Sequence, residues 1–138
     1  MLESNSLEDI ADARNIESIG LSFVVPVFNE SETVSLFVER VKTVFDKFQA
    51  INLEIIFIND GSSDDTLIRL LDLQKQFDEI RIVDLSRNFG KEAALTAGLN
   101  IASGHVVVPI DVDLQDPPEL VLQMIEKWRE GYDVVVGK

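Results

Sequence analysis

Val106-Val107-Val108-Pro109-Ile110-Asp111-Val112-Asp113-Leu114-Gln115-Asp116-Pro117-Pro118-Glu119 is an apolar run that breaks into clustered carboxylates and then a proline pair. The apolar half reads as a central strand, so Asp111 and Asp113 stand where a strand opens into a loop and offer hard oxygen ligands to a divalent cation. On an extended segment, side chains two residues apart point the same way. Both carboxylates therefore reach one octahedral Mg²⁺ or Mn²⁺ together with a diphosphate, and Gln115 continues the spacing. The competing reading is a polar turn in which Asp116 caps the next helix. A second apolar strand, residues 54–59, also ends in an acidic loop, Asp60-Gly61-Ser62-Ser63-Asp64-Asp65. Two acidic strand ends can form one pocket, which favours the metal.

Outward from this stretch, strands and helices alternate. The pattern predicts strands over 21–27, 54–59, 81–85, 105–110 and 133–136. Between them it predicts a helix over 32–48 with Val34, Phe37, Val38, Val41, Phe45 and Phe48 on one stripe. A second helix is predicted over 65–77, with Leu67, Leu70, Leu71 and Phe77 inward and its entry aspartates suited to capping. A third, over 91–102, carries Ala94, Ala97, Gly98 and Ile101 and is small enough to lie close on a sheet. Pro117 and Pro118 start a fourth that runs through Trp128 and stops at Gly131. The alternation implies an α/β fold, a mostly parallel, doubly wound sheet with helices on both faces, whose ligands bind beyond the carboxyl ends of the strands.

Composition narrows the partners. A chain of 138 residues with 46% apolar and 27% charged residues is one ordinary globular domain. Its 12 basic and 25 acidic residues leave a net charge of −13, which disfavours nucleic acid and anionic membrane as partners of the domain itself. Without cysteine there are no disulfides and no thiolate metal sites. No apolar stretch approaches the roughly 18 residues of a membrane span, and the acidic start lacks the layout of a signal peptide. Residues 1–20 carry Glu3, Glu8, Asp9, Asp12 and Glu17 against Arg14 alone and read as an acidic tail, leaving 21–138 as the folded domain.

Three further loops fall at strand ends. Asp60 to Asp64 suits an ordinary turn, since Asp, Gly and Ser dominate turns, but a carboxylate there also suits a base or ribose. Pro26-Val27-Phe28-Asn29-Glu30 ends the first strand with an aromatic and a carboxylate, and it lies beside the Asp60 loop if the first two strands are neighbours. Ser86-Arg87-Asn88-Phe89-Gly90-Lys91 brings two cations to a helix start, where free N–H groups favour anions. His105 reads as a surface residue in a turn.

Together, these four segments resemble the signatures of family-2 inverting glycosyltransferases with a GT-A fold. More narrowly, Asp111-Val112-Asp113-Leu114-Gln115-Asp116-Pro117-Pro118-Glu119 is similar to the polyprenyl-phosphate sugar transferases, which include bactoprenol glucosyltransferases and dolichol-phosphate mannose synthases. The resemblance spans residues 21 to 138. It implies that Pro26, Phe28, Glu30 and Asp60 hold the nucleoside and that Lys91 lies near the sugar nucleotide. It makes Asp111 and Asp113 the catalytic pair: Asp111 contacts nucleotide and metal, while Asp113 and Gln115 ligate the Mg²⁺ or Mn²⁺ that bridges the diphosphate. Val112 departs from the family's usual alanine, and its side chain should point opposite to the aspartates.

The activity so implied is transfer of a sugar, with glucose from UDP-glucose favoured, to undecaprenyl or another polyprenyl phosphate with inversion. The alternatives are a GDP-mannose-using, dolichol-phosphate mannose synthase-like enzyme and a non-catalytic sugar-nucleotide-binding domain. A phosphoacceptor receiver domain is also acidic and doubly wound, but it wants its acidic pair after the first strand rather than the fourth. The family continues beyond the strand near Gly137 with an arginine-bearing segment and membrane-associating helices. The expectation is therefore a natural protein extending past Lys138 and working on the cytoplasmic side of the inner membrane. Residues 1–138 by themselves are expected to be soluble and inactive, with association into oligomers left open.

Overall fold

The computed structural model describes residues 18–115 and 117–131. The acidic tail up to residue 17, Asp116 as a helix cap and the strand expected over 133–136 lie outside the described residues. Strands β1 (Ile19–Val27), β2 (Ile51–Asp60), β3 (Ile80–Leu85) and β4 (Val106–Pro109) alternate with helices α1 (Thr33–Phe45), α2 (Thr66–Gln76) and α3 (Lys91–Ile101), and α4 (Glu119–Arg129) follows β4. The sheet is parallel in every described pair and ordered β3-β2-β1-β4. The chain thus steps outward from β1 to β3, then crosses back to place β4 on the other side of β1. That reversal leaves a crevice at the carboxyl ends of β1 and β4, where doubly wound sheets take their ligands.

Burial on both faces explains the near-continuous apolar runs of β1 and β2. One face carries the larger core, in which Phe23, Val25 and Phe57 meet Phe37 and Val41 of α1, Leu70 of α2 and Val121 and Ile125 of α4. Its rings pack edge-on, Phe23 to Phe45 at 5.6 Å and Phe37 to Phe57 at 5.8 Å between centroids. The other face is covered by α3 through Val24, Ile56, Ile58 and Ala94. Gly98 makes this close approach possible, because a Cβ there would lie 2.5 Å from Val24 Cγ1 and 2.6 Å from Ile58 Cδ1.

Several boundaries and facings differ from expectation. β1 begins at Ile19, inside the stretch assigned to the tail, because parallel pairing with Ile51 and Asn52 carries it past Gly20. For the same reason β2 starts at Ile51. Helix α1 ends at Phe45, which leaves Phe48 beyond it and 37% exposed. On α2 the inward stripe runs through Thr66, Leu70 and Leu73, while Leu71 is 43% exposed. The reason is geometric: a residue one position from Leu70 turns about 100° around the helix, whereas Leu73 returns to the buried face. No described helix is long and apolar enough to cross a membrane.

Opposite the crevice, at the amino ends of the strands, Glu54 ties four segments together. Its Oε1 accepts from the Ser22 hydroxyl at 2.6 Å and from the Ser103 amide and hydroxyl at 3.1 Å, and its Oε2 accepts from Arg81 at 2.9 Å. Gly104 N–H donates to Ser22 Oγ, and Gly20 N–H donates to Nδ1 of His105, so the exposed histidine pins the start of β1. Burial alone would raise the Glu54 pKa, but the bonds from Ser22, Arg81 and Ser103 outweigh it and hold the carboxyl below its ordinary value. A carboxyl lowered on folding stabilises above its unfolded pKa, and that contribution fades as pH falls through the folded value. Glu54→Gln should therefore narrow the stability gap between pH 7 and pH 3, as followed by urea unfolding across that range. An unchanged gap would show that the charge is not what this network holds.

Candidate functional site

The loop after β1 and the loop after β2 are zipped together by side chains. Asn29, at φ 54°, accepts on Oδ1 from the Ser63 amide at 2.8 Å and donates its own N–H to Ser62 Oγ at 2.9 Å. Glu30 N–H donates to Thr66 Oγ1 at 2.9 Å, and Thr66 in turn donates its amide and hydroxyl to Asp64. The hydroxyl bond from Thr66, helped by backbone N–H groups, outweighs desolvation and holds the Asp64 carboxyl below its ordinary value. The expected capping of α2 is thus made by Asp64, and Asp65 makes no side-chain cap bond. Glu30 also folds back, its Oε1 accepting from the Phe28 amide at 2.9 Å. Phe28 is left 45% exposed on the rim.

Asp60 ends β2 almost wholly buried, and its two oxygens are shared between the N–H groups of Phe89 at 2.8 Å and Gly90 at 3.1 Å. The loop before α3 is thereby hung on the end of β2. Gly61 fits beneath it at φ 74°, with any Cβ falling 2.2 Å from the Asn88 nitrogen and 2.3 Å from the Arg87 carbonyl carbon. Only glycine meets both demands, a positive φ and backbone against backbone. Arg87 lies over its neighbour Phe89, 4.5 Å from the ring centroid. Lys91, the first residue of α3, donates Nζ to Oδ1 of Asp111 at 2.7 Å.

Beyond β4 the chain turns instead of staying extended. Leu114 N–H donates to the Asp111 carbonyl at 3.1 Å, and Leu114 adopts φ 53°. Val112 is nevertheless buried in the main core while Asp111 and Asp113 are exposed, so the valine faces opposite to the aspartates as expected. A cleft of about 420 Å³ gathers these pieces. Pro26 and Val27 line it from the end of β1, Phe28 and Glu30 from the loop after it, Asp60 from the end of β2, Asn88 and Gly90 from the loop into α3, Lys91 from the start of α3, and Asp111 to Asp113 from the turn after β4. Of the residues the sequence singled out, seven meet here: Pro26, Phe28, Glu30, Asp60, Lys91, Asp111 and Asp113. Gln115 is exposed on the same turn, outside the lining. Sequence reading missed Asn88 as a wall residue and missed the hold of Asp60 on its loop.

The donor set suits a hard cation that keeps water and phosphate ligands. Among the described residues no group of three or more His, Cys, Asp and Glu side chains converges as a metal cage. Asp111 and Asp113 instead offer two exposed carboxylates on one lip, and Asp113 forms no ion pair or hydrogen bond among the described residues. Mg²⁺ and Mn²⁺ bound with nucleotides commonly take one or two carboxylates plus phosphate oxygens, and this pair fits that pattern.

Residues 22–138 match glycosyl transferase family 2, and the chain belongs to that family. It is 48% identical over 118 residues to a bactoprenol glucosyl transferase of Shigella phage SfV and 46% identical over 118 residues to a prophage bactoprenol glucosyl transferase homolog of Escherichia coli. In both comparisons the match covers 86% of this chain and 38% of the relative, so the chain spans less than two-fifths of these relatives' length. Among solved structures, it resembles glucosyl-3-phosphoglycerate synthase from Mycobacterium tuberculosis, in complex with Mn²⁺, UDP and glucosyl-3-phosphoglycerate. The TM-score is 0.63 at 24% identity, over 95% of this chain and 46% of that one. A mannosyltransferase from Pyrobaculum calidifontis, in complex with GDP-Man and Mn²⁺, gives a TM-score of 0.60 at 21% identity, over 75% and 34% of the two chains. The fold is that of the GT-A glycosyltransferases.

Because Asp60 accepts two backbone N–H groups, replacing one oxygen by an amide leaves a donor facing a donor. Asp60→Asn should cost about 1–3 kcal/mol and should speed hydrogen exchange at Phe89 and Gly90 before it does so in β1. Exchange at those two amides equal to wild type would rule out the hold of Asp60 on the loop.

Proposed function

We propose that this chain is the donor-binding part of a glycosyltransferase that moves glucose from UDP-glucose to a polyprenyl phosphate such as undecaprenyl phosphate, with inversion and with Mg²⁺ or Mn²⁺. The observation that carries the reading is the meeting of Asp111 and Asp113 with Phe28, Glu30, Asp60 and Lys91 in one cleft at the β1/β4 reversal. The bactoprenol glucosyl transferases at 46–48% identity support the lipid acceptor and the sugar. The dolichol-phosphate mannose synthase-like alternative differs in the sugar, in the acceptor lipid and in the base held at the Phe28 and Asp60 side of the cleft.

In this reading Phe28 and Pro26 offer apolar surface to the planar base, and Glu30 and Asp60 offer acceptors to base and ribose N–H and O–H groups. Asp111 and Asp113 hold the diphosphate end through the cation, and Lys91 places a positive charge beside it. A divalent ion, when bound there, stabilises negative charge on the leaving diphosphate. The acceptor phosphate is already anionic near neutral pH, so these residues need to position and neutralise rather than remove a proton. The chain spans less than two-fifths of these relatives' length, and the acceptor side is proposed to lie in the part of such proteins that it does not cover, on the cytoplasmic face of the membrane.

UDP and Mn²⁺ together should raise the melting temperature more than either alone, with about 2.7 kcal/mol of stabilisation at a hundred times the dissociation constant. Asp113→Asn keeps the side-chain volume and removes a charged ligand, so it should abolish most of that shift while leaving the melting temperature of the protein alone unchanged. GDP producing the larger shift would favour the mannose alternative. No shift with UDP, GDP or CDP, or a full shift in Asp113→Asn, would overturn the donor-site assignment.

A further inference from the structure

The described lining of the cleft carries four carboxylates, Glu30, Asp60, Asp111 and Asp113, and a single cation, Lys91. That cation is spent on Asp111, at 2.7 Å, while Asp113 forms no bond to another described residue. A dication ligated by Asp111 would lie one carboxylate away from the Lys91 ammonium, and the two like charges would repel. Lys91 and a metal ion therefore compete for Asp111. A diphosphate changes the balance, because its oxygens give the ammonium another partner on the same lip. The lysine can make that move cheaply: it is 61% exposed on its side chain, it hangs from the first turn of α3, and its flexible four-carbon stem carries a compact point charge that swings without breaking any other described contact.

We propose that Lys91 is an exchangeable counter-ion of Asp111, which disfavours metal alone and transfers to the diphosphate when metal and nucleotide arrive together. This rests on the donor-site reading above and adds a regulation of that site. Metal and nucleoside diphosphate are bound interdependently, each raising the affinity of the other, and Lys91 supplies part of the coupling from both directions. Free cation is then poorly retained, and the carboxylates take it up chiefly as a complex with a nucleoside diphosphate.

The test compares wild type with Lys91→Met, which keeps the stem and removes the charge, and Lys91→Arg, which keeps the charge. Free Mn²⁺ is counted by electron paramagnetic resonance for binding of Mn²⁺ alone, and UDP binding at saturating Mn²⁺ is followed by calorimetry. Lys91→Met is expected to bind Mn²⁺ alone several-fold more tightly and UDP with Mn²⁺ about tenfold more weakly, while Lys91→Arg stays near wild type in both. The opposite signs are the signature, since a merely structural role would weaken both. Mn²⁺ affinity that is unchanged or lowered in Lys91→Met, unchanged UDP affinity, or an arginine variant that behaves like methionine would overturn the exchange while the donor site stands. A wild-type protein that binds neither Mn²⁺ nor UDP would remove both.

Discussion

The site depends on β1 being paired in parallel on both of its edges. Val27 lies opposite Asn59 of β2, so β1 and β2 end almost together, while β4 ends at Pro109 opposite Val24, and the loops that follow open toward the same end of the sheet. Parallel pairing is what lets residues more than eighty positions apart in the chain share a cleft. Proline fits at the last residue of β4, where among the described residues only one side of the strand is paired and a missing N–H costs no ladder bond. Once the strands are fixed, short-range chemistry completes the cleft: Asn29 and Thr66 join the loops after β1 and β2, and Asp60 carries the loop that leads from β3 into α3.

Much of this was legible in the sequence because it depends on periodicity and on residue type at strand ends. Four strands and four helices follow the apolar pattern, and the acidic strand ends mark the cleft. What was not legible depends on contacts between distant segments. Phe48 and Leu71 extend a plausible stripe, yet a helix that ends at Phe45 and a face centred on Leu70 and Leu73 leave them outside. Glu54 looks like the polar edge of an apolar strand, and nothing local reveals that Ser22, Arg81 and Ser103 converge on it. Asp60 could be read as a turn residue or a nucleoside ligand. Its bonds to Phe89 and Gly90 add a structural duty, and they were invisible because the partners lie about thirty residues away.

The turn after β4 shows the same division between local pattern and tertiary path. Alternation along an extended segment correctly separates Val112 from its flanking aspartates, but the chain turns at Leu114, and the two-residue spacing does not carry Gln115 into the cleft lining. The described lining of the cleft is acidic, with Glu30, Asp60, Asp111 and Asp113 against Lys91. A polyanion entering such a cleft is opposed by its charge unless it brings positive charge with it.

The most direct test of the central claim is anomalous diffraction from crystals of this chain grown with Mn²⁺ and UDP. The expected result is a manganese peak between the Asp111 and Asp113 carboxylates, bonded to diphosphate oxygens, with uracil against Phe28 and toward Asp60. A manganese peak away from those two carboxylates, or a nucleotide bound outside the β1/β4 crevice, would contradict it.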